Sequence, residues 1–405
     1  NASGVNPNWT GSWKTYYWRV ACYDGAWTNY TYSFTTEYVF GQPHLIFYNS
    51  TWGSIMGATI YKNNTNEYYL ATHLVGSGKA YVIKSPNGMD WMVHNGEVVA
   101  TGLDEDTCLR YSGVWSWFTY DNQPAFFYLD GSWKIAHYNG SNWIIDTTSI
   151  SGWYEDYMGK GADVIYFNGK WILILARGEK RDGAKSSLCV YEGHPWNNWE
   201  YVTTFMSASM NYNYVDYSPS MAILDGKLHL VSTYYAGFSD SEYRTIYNLN
   251  WRYYDGTSWY NMGCIKEDIW RGGKGNTRSG ITTSTLVKDI INNQLVVFYV
   301  DYTTKDICYK VLKDISEGWS EEHIAWDNPD PTNITIFKLF AHYIDRRIIL
   351  TFAMGFDTSA DIWNPYSYSI YAISAPEYCE EVSGITRTNR IQFPKVSPNQ
   401  KHDHQ

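Results

Sequence analysis

Short apolar runs occur in pairs along the chain, and each pair is divided by a two-residue turn. Six such turns are Gly41-Gln42, Asp121-Asn122, Asn168-Gly169, Asp225-Gly226, Asn292-Asn293 and Asp345-Arg346. Asn-Gly and Asp-Gly between β-prone runs are strong hairpin signals, because a type I′ turn requires positive φ at both central residues. The pattern therefore predicts six β-hairpins.

Tryptophans punctuate the same chain at nearly regular intervals after these turns. They are Trp27, Trp91, Trp143, Trp199, Trp259 and Trp319. Regular spacing of this kind is typical of repeat architectures. Each repeat is interpreted as a hairpin, a third strand and a fourth strand that carries the tryptophan. Six four-stranded antiparallel units predict an all-β fold, a six-bladed β-propeller, with seven blades as the alternative.

The two ends of the chain are predicted to meet in the last blade. Residues 18–27 (WRVACYDGAW) match residues 251–259 (WRYYDGTSW), whereas the last repeat lacks its own fourth strand. We therefore expect the N-terminal strand at 18–27 to complete the last blade and remove its free edge. Trp27 would then belong to that blade, and all six tryptophans would pack between blades. The propeller is predicted over residues 1–385, followed by an extended polar tail over 386–405.

Composition and charge narrow the choice of partners. The net charge is −10 without a large Lys/Arg cluster, which argues against nucleic acid, and no apolar run is long enough for membrane insertion. The 38 tyrosines and 20 tryptophans imply rings with one polar end in water. Such rings favour glycans or other surface proteins, including copies of the chain itself, as partners. The candidate ligand-binding rings are Trp115, Trp117, Tyr154, Tyr157, Tyr214 and Tyr217.

The start of the chain and its sequons indicate a glycosylated, extracellular surface. The chain starts without Met, which suggests a processed secreted product. N-glycosylation sequons occur at Asn1, Asn8, Asn29, Asn49, Asn63, Asn139 and Asn333. We therefore expect an extracellular location, or one at a cell or virion surface. Six cysteines allow three disulfides, and ring closure favours the pair Cys22–Cys379. No metal motif is present and no cofactor is expected, with calcium left open.

Two short stretches resemble known propeller families. Residues 85–91 (SPNGMDW) resemble a degenerate Asp-box of sialidase-like propellers, where that motif is structural. Residues 162–171 (ADVIYFNGKW) look like a blade opening of arabinanase- and xylosidase-type glycosidases, and residues 216–220 (DYSPS) are similar to another. The resemblance implies that Asp163 and Asp216 could be catalytic acids, with Glu155 as a third carboxylate. Those glycosidases have five blades, whereas the pattern here gives six.

The sequence is compatible with two functions. The first is a secreted, glycosylated propeller that binds glycans or neighbouring proteins as a cell-surface, filament or virion-surface component. The alternative is a secreted glycoside hydrolase that uses axial carboxylates, since two positioned carboxyl groups suffice for that chemistry. The lack of a complete catalytic set favours the first function. One fold can host both, so the fold does not decide between them.

Overall fold

A computed structural model of the chain describes a large part of the sequence. The described residues are 15–23, 27–35, 38, 40–47, 55–74, 79–85, 88, 91, 97–100, 114–120, 123–130, 132–150, 162–178, 186–194, 198–206, 217–239, 244–273, 284–301, 303–355, 369–375, 381–382 and 385–386. Within them, no helix is long and apolar enough to cross a membrane.

The described residues form strands throughout. The strands are β1 (Thr15–Tyr23), β2 (Trp27–Thr35), β3 (His44–Phe47), β4 (Ile55–Lys62), β5 (Tyr68–Leu74), β6 (Lys79–Ser85), β7 (Glu97–Ala100), β8 (Val114–Tyr120), β9 (Gln123–Asp130), β10 (Ser132–Tyr138), β11 (Trp143–Thr147), β12 (Ala162–Phe167), β13 (Lys170–Gly178), β14 (Ser186–His194), β15 (Asn198–Met206), β16 (Tyr217–Leu224), β17 (Lys227–Ser239), β18 (Arg244–Tyr254), β19 (Trp259–Gly273), β20 (Ser284–Asp289), β21 (Gln294–Val300), β22 (Ile307–Leu312), β23 (His323–Trp326), β24 (Thr335–Ile344), β25 (Arg347–Gly355), β26 (Ser369–Ala375), β27 (Glu381–Val382) and β28 (Ile385–Thr386).

In the described part of the chain, six antiparallel sheets of four strands form the blades of a propeller. Blades 1 to 5 are β4–β7, β8–β11, β12–β15, β16–β19 and β20–β23, and blade 6 consists of β24, β25, β26 and β3. The first strand of each blade contacts the first strands of both neighbouring blades, and β24 contacts β4, which closes the ring. The predicted six-bladed propeller is therefore confirmed, and the seven-bladed alternative is not.

The N-terminal part of the chain closes the ring, but through a different strand from the one expected. β3 pairs antiparallel with β26, with Leu45 opposite Tyr371. The expected strand at 18–27 was wrong: it is divided between β1 and β2, which pair with each other, with Tyr23 opposite Trp27. Tyr23 and Trp27 are four residues apart, so their pairing closes a much shorter loop than pairing with β26 would and loses less chain entropy.

Five of the six expected hairpins are confirmed. They are β8/β9, β12/β13, β16/β17, β20/β21 and β24/β25. Asn168 and Gly169 both have positive φ, as a type I′ turn requires. The hairpin expected around Gly41-Gln42 was wrong, since β3 starts only at His44. Blade 1 instead begins with β4/β5, whose longer turn carries neither Asn-Gly nor Asp-Gly.

Six apolar clusters hold the blades together, one at each junction between neighbouring blades. Five of the tryptophans lie in or against five different clusters, each between its own blade and the preceding one. They are Trp91 at junction 6/1, Trp143 at 1/2, Trp199 at 2/3, Trp259 at 3/4 and Trp319 at 4/5. For these five, the predicted packing role is confirmed. The side chain of Trp27 lies outside the described residues.

Junction 5/6 contains Trp326 and two rings from the N-terminal part of the chain, but none of the five described tryptophans of the repeat. Tyr38 is only 4% exposed and belongs to this cluster, and Phe40 packs against it. The Tyr38 hydroxyl donates a hydrogen bond of 2.5 Å to Asp289 Oδ2 and accepts one of 2.8 Å from Gln294 Nε2. The segment that precedes β3 is therefore anchored in blade 5, although β3 itself completes blade 6.

The cysteines correct the expectation of three disulfides. Cys189 and Cys308 are buried and Cys264 is exposed, and none of these three cysteines forms a disulfide. They lie on β14, β22 and β19, in three different blades. The pair Cys22–Cys379 lies outside the described side chains and stays a prediction.

Candidate functional site

The innermost strand of each blade has one edge that no strand of its own sheet covers. At four junctions, a side chain of one inner strand accepts a backbone N–H from the inner strand of the next blade. The pairs are Asp163 Oδ2 with Met221 N at 2.5 Å, Ser220 Oγ with Leu286 N at 2.9 Å, Thr285 Oγ1 with Ala341 N at 3.2 Å, and His342 Nε2 with Ile60 N at 3.3 Å. These bonds satisfy N–H groups that would otherwise lack a partner.

Asp163, the candidate catalytic acid, is one member of this repeated arrangement. Its Oδ2 has the role that the Ser220 hydroxyl has at the next junction, and its Oδ1 accepts from Val164 N at 2.9 Å. Both oxygens of the Asp163 carboxylate accept hydrogen bonds from backbone N–H groups of the inner strands β12 and β16, so this side chain helps to hold blades 3 and 4 together. Asp216 and Glu155 lie outside the described residues, so the catalytic assignment stays a prediction.

Replacing Asp163 tests this structural role. Asp163→Ala leaves the Met221 N–H without its acceptor and is expected to lower the free energy of unfolding by about 1–3 kcal/mol. Asp163→Ser keeps a short acceptor, as Ser220 does one junction further on, and should retain most of the stability. Urea denaturation of the two variants beside the wild type measures the difference. Equal stabilities of the two variants would contradict the role.

An aromatic ring crosses the propeller axis. Phe340 of β24, in blade 6, packs against the cluster formed by blades 2 and 3. Blades 6 and 3 face each other across a six-bladed ring, so this side chain fills the space between them. Among the residues that the structure describes, no three His, Cys, Asp or Glu side chains are grouped so that they could hold a metal ion.

Of the predicted ligand-binding rings, Trp117 has a described side chain. It stacks on Tyr61 of blade 1 at 5.5 Å, and its Nε1 donates a hydrogen bond of 2.8 Å to the carbonyl oxygen of Thr59. These contacts join blades 1 and 2. The side chains of Trp115 and Tyr217, and the whole of Tyr154, Tyr157 and Tyr214, lie outside the described set, so their binding roles stay predictions.

Three other tyrosines are much more exposed than Trp117, and no pattern in the sequence indicated them. They are Tyr166, Tyr201 and Tyr260, which are 53%, 57% and 42% exposed. Each ring packs against a less exposed ring on the neighbouring strand, namely Trp171 at 5.3 Å, Tyr191 at 5.8 Å and Tyr253 at 4.7 Å. Their positions in strands resemble those of packing residues, so the sequence carried no signal for exposure.

Of these three tyrosines, Tyr260 lies beside both aromatic and charged side chains. It stacks on Tyr253 with an interplanar angle of 17°, and the two residues are direct partners across β18 and β19. The Nζ of Lys227 lies 5.1 Å from the centre of the Tyr253 ring. The next cross-strand pair, Tyr254 and Trp259, also stacks, at 5.0 Å. Consecutive residues of a strand point to opposite faces, so each face of this hairpin carries one stacked pair.

The loop of this hairpin is built around a carboxylate. Asp255 Oδ1 accepts from the backbone nitrogens of Thr257 and Ser258, both at 2.8 Å, and from the Thr257 hydroxyl at 2.6 Å. The bonds from Thr257 and then Ser258 hold the pKa of Asp255 well below its ordinary value. The Tyr260 hydroxyl also bonds to this carboxylate, which raises the pKa of Tyr260. The stacked ring and the ionised carboxylate are therefore adjacent.

Blade 5 contributes a second carboxylate nearby. Asp314 Oδ1 accepts from the backbone nitrogen of Ser316 at 2.7 Å and from its hydroxyl at 2.6 Å. These bonds, with a smaller effect from Lys227, lower the pKa of Asp314. We call the set Lys227, Tyr253, Asp255, Tyr260 and Asp314 the blade 4–5 surface.

Blade 2 contains the same hairpin without the exposed ring pair. Tyr138 and Trp143 contact each other at 5.6 Å, and Asn139 Oδ1 accepts from the backbone nitrogens of Ser141 at 3.0 Å and Asn142 at 2.8 Å. The positions of Tyr253 and Tyr260 are taken there by His137 and Ile144. The hairpin therefore forms without the second ring pair and without a charge in its loop.

Comparison with known proteins finds similarity in structure and none in sequence. No protein-family model matches the chain, and no curated protein matches it in sequence. A mutant of the Aleuria aurantia lectin in complex with Fucα1-6GlcNAc aligns with TM-score 0.48 and 13% identity, covering 84% of this chain and 100% of the lectin. An α-L-arabinofuranosidase from Lactobacillus brevis aligns with TM-score 0.41 and 10% identity, covering 78% and 89%. The SapL1 lectin in complex with α-methyl fucoside aligns with TM-score 0.44 and 12% identity, covering 80% and 97%. Lectins and a glycosidase are thus both among the solved structures to which the chain is similar.

Proposed function

We propose that this chain is a non-catalytic, secreted glycan-binding propeller at a cell or virion surface, and that the blade 4–5 surface is a sugar site. The Tyr253–Tyr260 stack supports this most directly. One face of the Tyr260 ring stacks on Tyr253, and 42% of the surface of Tyr260 remains exposed. The C–H face of a sugar can stack on such a ring, since the π face is electron-rich. The Asp255 carboxylate beside it can accept hydrogen bonds from sugar hydroxyls.

The comparison with blade 2 favours binding over packing as the reason for this ring. His137 and Ile144 occupy the same positions in a hairpin of the same design. The fold therefore does not require two stacked tyrosines there. Rigid tyrosines with few rotatable bonds are efficient recognition residues, because little conformational entropy is lost on binding.

The hydrolase alternative has less support among the described residues. A general acid or nucleophile must reach the sugar bond within hydrogen-bonding distance. Asp163 instead holds two backbone N–H groups of the inner strands. A neighbouring protein could also dock on Tyr260, and the same experiment distinguishes that case.

Tyr260→Ala is expected to weaken binding to an immobilised glycan panel by at least about tenfold, through loss of the stacking face. Tyr201→Ala, which removes an exposed ring from blade 3, is the matched control and should bind as the wild type does. Asp255→Asn should also weaken binding. Its loop is expected to fold normally, because Asn139 makes the corresponding backbone bonds in blade 2.

Product release should be measured on the same panel. Binding that Tyr260→Ala leaves unchanged would exclude this surface as the sugar site. Binding to no glycan, combined with capture of surface proteins, would support a protein partner instead. Turnover that disappears in Asp163→Asn would establish the hydrolase alternative.

Glycosylation is expected to be most complete at Asn139 among the sequons whose side chains are described. The amide nitrogens of Asn63 and Asn333 already donate, at 2.7 Å each, to Glu67 and Asp330. Asn139 is exposed, and its hydrogen bonds within the turn use Oδ1, whereas a glycan is attached to Nδ2. Glycopeptide mass spectrometry after expression in a eukaryotic secretory host measures occupancy.

Ser141→Ala is the control variant for this site. It removes the sequon but keeps the backbone N–H that bonds to Asn139. The mass of one glycan should disappear while the fold is retained. Full occupancy at Asn63 or Asn333 with an unmodified Asn139 would contradict the expectation.

A further inference from the structure

We propose that the junction between blade 6 and blade 1 is an acid-sensitive seam, at which the ring opens first when the pH falls. This seam consists of His342, Ile60, Lys62, Tyr68 and Asp345. The inference concerns how the ring is held together and does not depend on sugar binding.

The seam differs from the other junctions in the chemistry of its inner-strand bond. At three junctions the acceptor of the inward N–H is the Asp163 carboxylate or the hydroxyl of Ser220 or Thr285. Hydroxyl oxygens accept hydrogen bonds at every pH, and carboxylates ordinarily take up protons only near pH 4. The seam uses an imidazole, which ordinarily becomes charged between pH 5 and 8.

The geometry requires His342 to be neutral in the closed ring. Its Nε2 accepts from Ile60 N at 3.3 Å and lies 3.4 Å from the Thr351 hydroxyl. An N–H donor fixes the tautomer, so Nε2 carries the lone pair and Nδ1 the proton. A proton on Nε2 would bring two donors face to face and leave the Ile60 N–H without an acceptor.

No charged side chain in the described part of the chain stabilises a protonated His342, and burial alone lowers its pKa to about 3. The ionisable groups on the neighbouring strands and on the turn after β24 are Tyr61 and Lys62 on β4, Tyr68, Tyr69 and His73 on β5, Lys288 and Asp289 on β20, Lys338 and Tyr343 on β24, Asp345 and Arg346 in the turn, and Arg347 on β25. Proton uptake near neutral pH is therefore coupled to separation of the two blades, which exposes the ring to water.

A second set of bonds at the seam also weakens in acid. Asp345 pairs with the Lys62 ammonium and accepts a hydrogen bond from the Tyr68 hydroxyl. Burial raises the pKa of Asp345, but the bonds from Lys62 and Tyr68 outweigh it and hold the pKa below its ordinary value. Acid thus affects the seam in two stages, first at His342 and at lower pH at Asp345.

The connectivity of blade 6 distinguishes this junction from the others. β3 is the strand of blade 6 that comes from the other end of the chain, and it pairs with β26 through three residue pairs. No continuous hairpin joins these two strands, unlike the third and fourth strands of blades 2 to 5. When the seam weakens, a four-residue strand remains to hold blade 6 to the chain segment that leads into blade 1.

Hydrogen exchange of the full-length protein, read by mass spectrometry at pH 7 and pH 5 and corrected for intrinsic rates, tests the seam. Opening of β4 and β24 should rise about 25-fold between the two pH values, the factor expected when an imidazole of ordinary pKa takes up a proton on opening. The inner strands β12 and β20 should change much less, because neither they nor their hairpin partners β13 and β21 contain a histidine.

Two glutamine variants complete the test. His342→Gln keeps an acceptor for the Ile60 N–H but does not titrate, so the rise at β4 and β24 should disappear. His229→Gln replaces a buried histidine inside blade 4 and should leave the rise unchanged. A pH-independent seam, or equal loss of protection at all inner strands of the wild type, would overturn the proposal. So would a His342→Gln variant that keeps the full rise. The wild-type comparison between junctions remains decisive even where a variant fails to fold.

Discussion

Lowering the pH from 7 to 4 is expected to reduce the free energy of unfolding by on the order of 3 kcal/mol for each of two buried histidines. Burial lowers the pKa of His342 to about 3 and that of His229 to about 4. His229 has no exposed surface, and its Nδ1 accepts from Trp251 Nε1 at 3.1 Å. Both imidazoles are therefore neutral in the folded protein at pH 5.

The sign follows from proton binding. Below about pH 6.5 the unfolded chain protonates both histidines, whereas the folded chain does not. The unfolded state then binds more protons, so stability falls as the pH falls. Their contribution is complete above pH 6.5 and is lost progressively towards the folded pKa values of about 4 and about 3.

Urea denaturation at several pH values between 7 and 4 measures how steeply the free energy of unfolding changes with pH. His229→Gln and His342→Gln should each flatten this dependence, and the double variant should flatten it most. The two residues lie in different blades, so their effects should be nearly additive. A slope that neither variant changes would show that other groups control acid stability.

Removing the Tyr38 side chain is expected to destabilise the protein by about 4 kcal/mol in Tyr38→Ala, as is typical for truncating a buried aromatic. The ring packs edge-on against Tyr309 at 5.6 Å within the apolar cluster of junction 5/6. Its loss leaves a cavity at junction 5/6 and frees the segment that leads to β3.

Tyr38→Phe separates the contribution of the hydroxyl to stability from that of the aromatic ring. The variant should cost about 2 kcal/mol, because Gln294 loses an acceptor and the Asp289 carboxylate loses a donor. Backbone and side-chain donors of Ile291 and Asn292 still reach Asp289, which limits the loss. Burial, followed by the charge of Asp289, raises the pKa of Tyr38, so the hydroxyl remains a donor at all physiological pH values.

Thermal and urea unfolding of the two variants provides the measurement, with Tyr166→Phe, on an exposed ring, as the control. A double-mutant cycle with Asp289→Asn isolates the hydroxyl–carboxylate pair. If Tyr38→Ala were as stable as the wild type, the N-terminal segment would not hold junction 5/6.

Local patterns in the sequence predicted most of the fold. The turns at Asn168-Gly169 and Asp225-Gly226 set their hairpins because the conformation they require is local to two residues. The spacing of the tryptophans predicted their packing because one ring per repeat meets the same neighbour in every blade. These signals gave the blade count, although the hairpin expected at Gly41-Gln42 was wrong and the β4/β5 hairpin was missed.

The sequence by itself determined the repeated unit, the number of units and the use of an N-terminal strand to close the ring. The tertiary structure decided which strand that is, because residues 18–27 can pair either nearby or with a strand at the far end of the chain. It also decided that Asp163 meets Met221, 58 residues away, through an edge that exists only once the blades are arranged in a ring. The exposure of Tyr260 was likewise evident only from the tertiary structure. Pairing over long separations depends on the free energy of the whole ring, and no local pattern of residues encodes it.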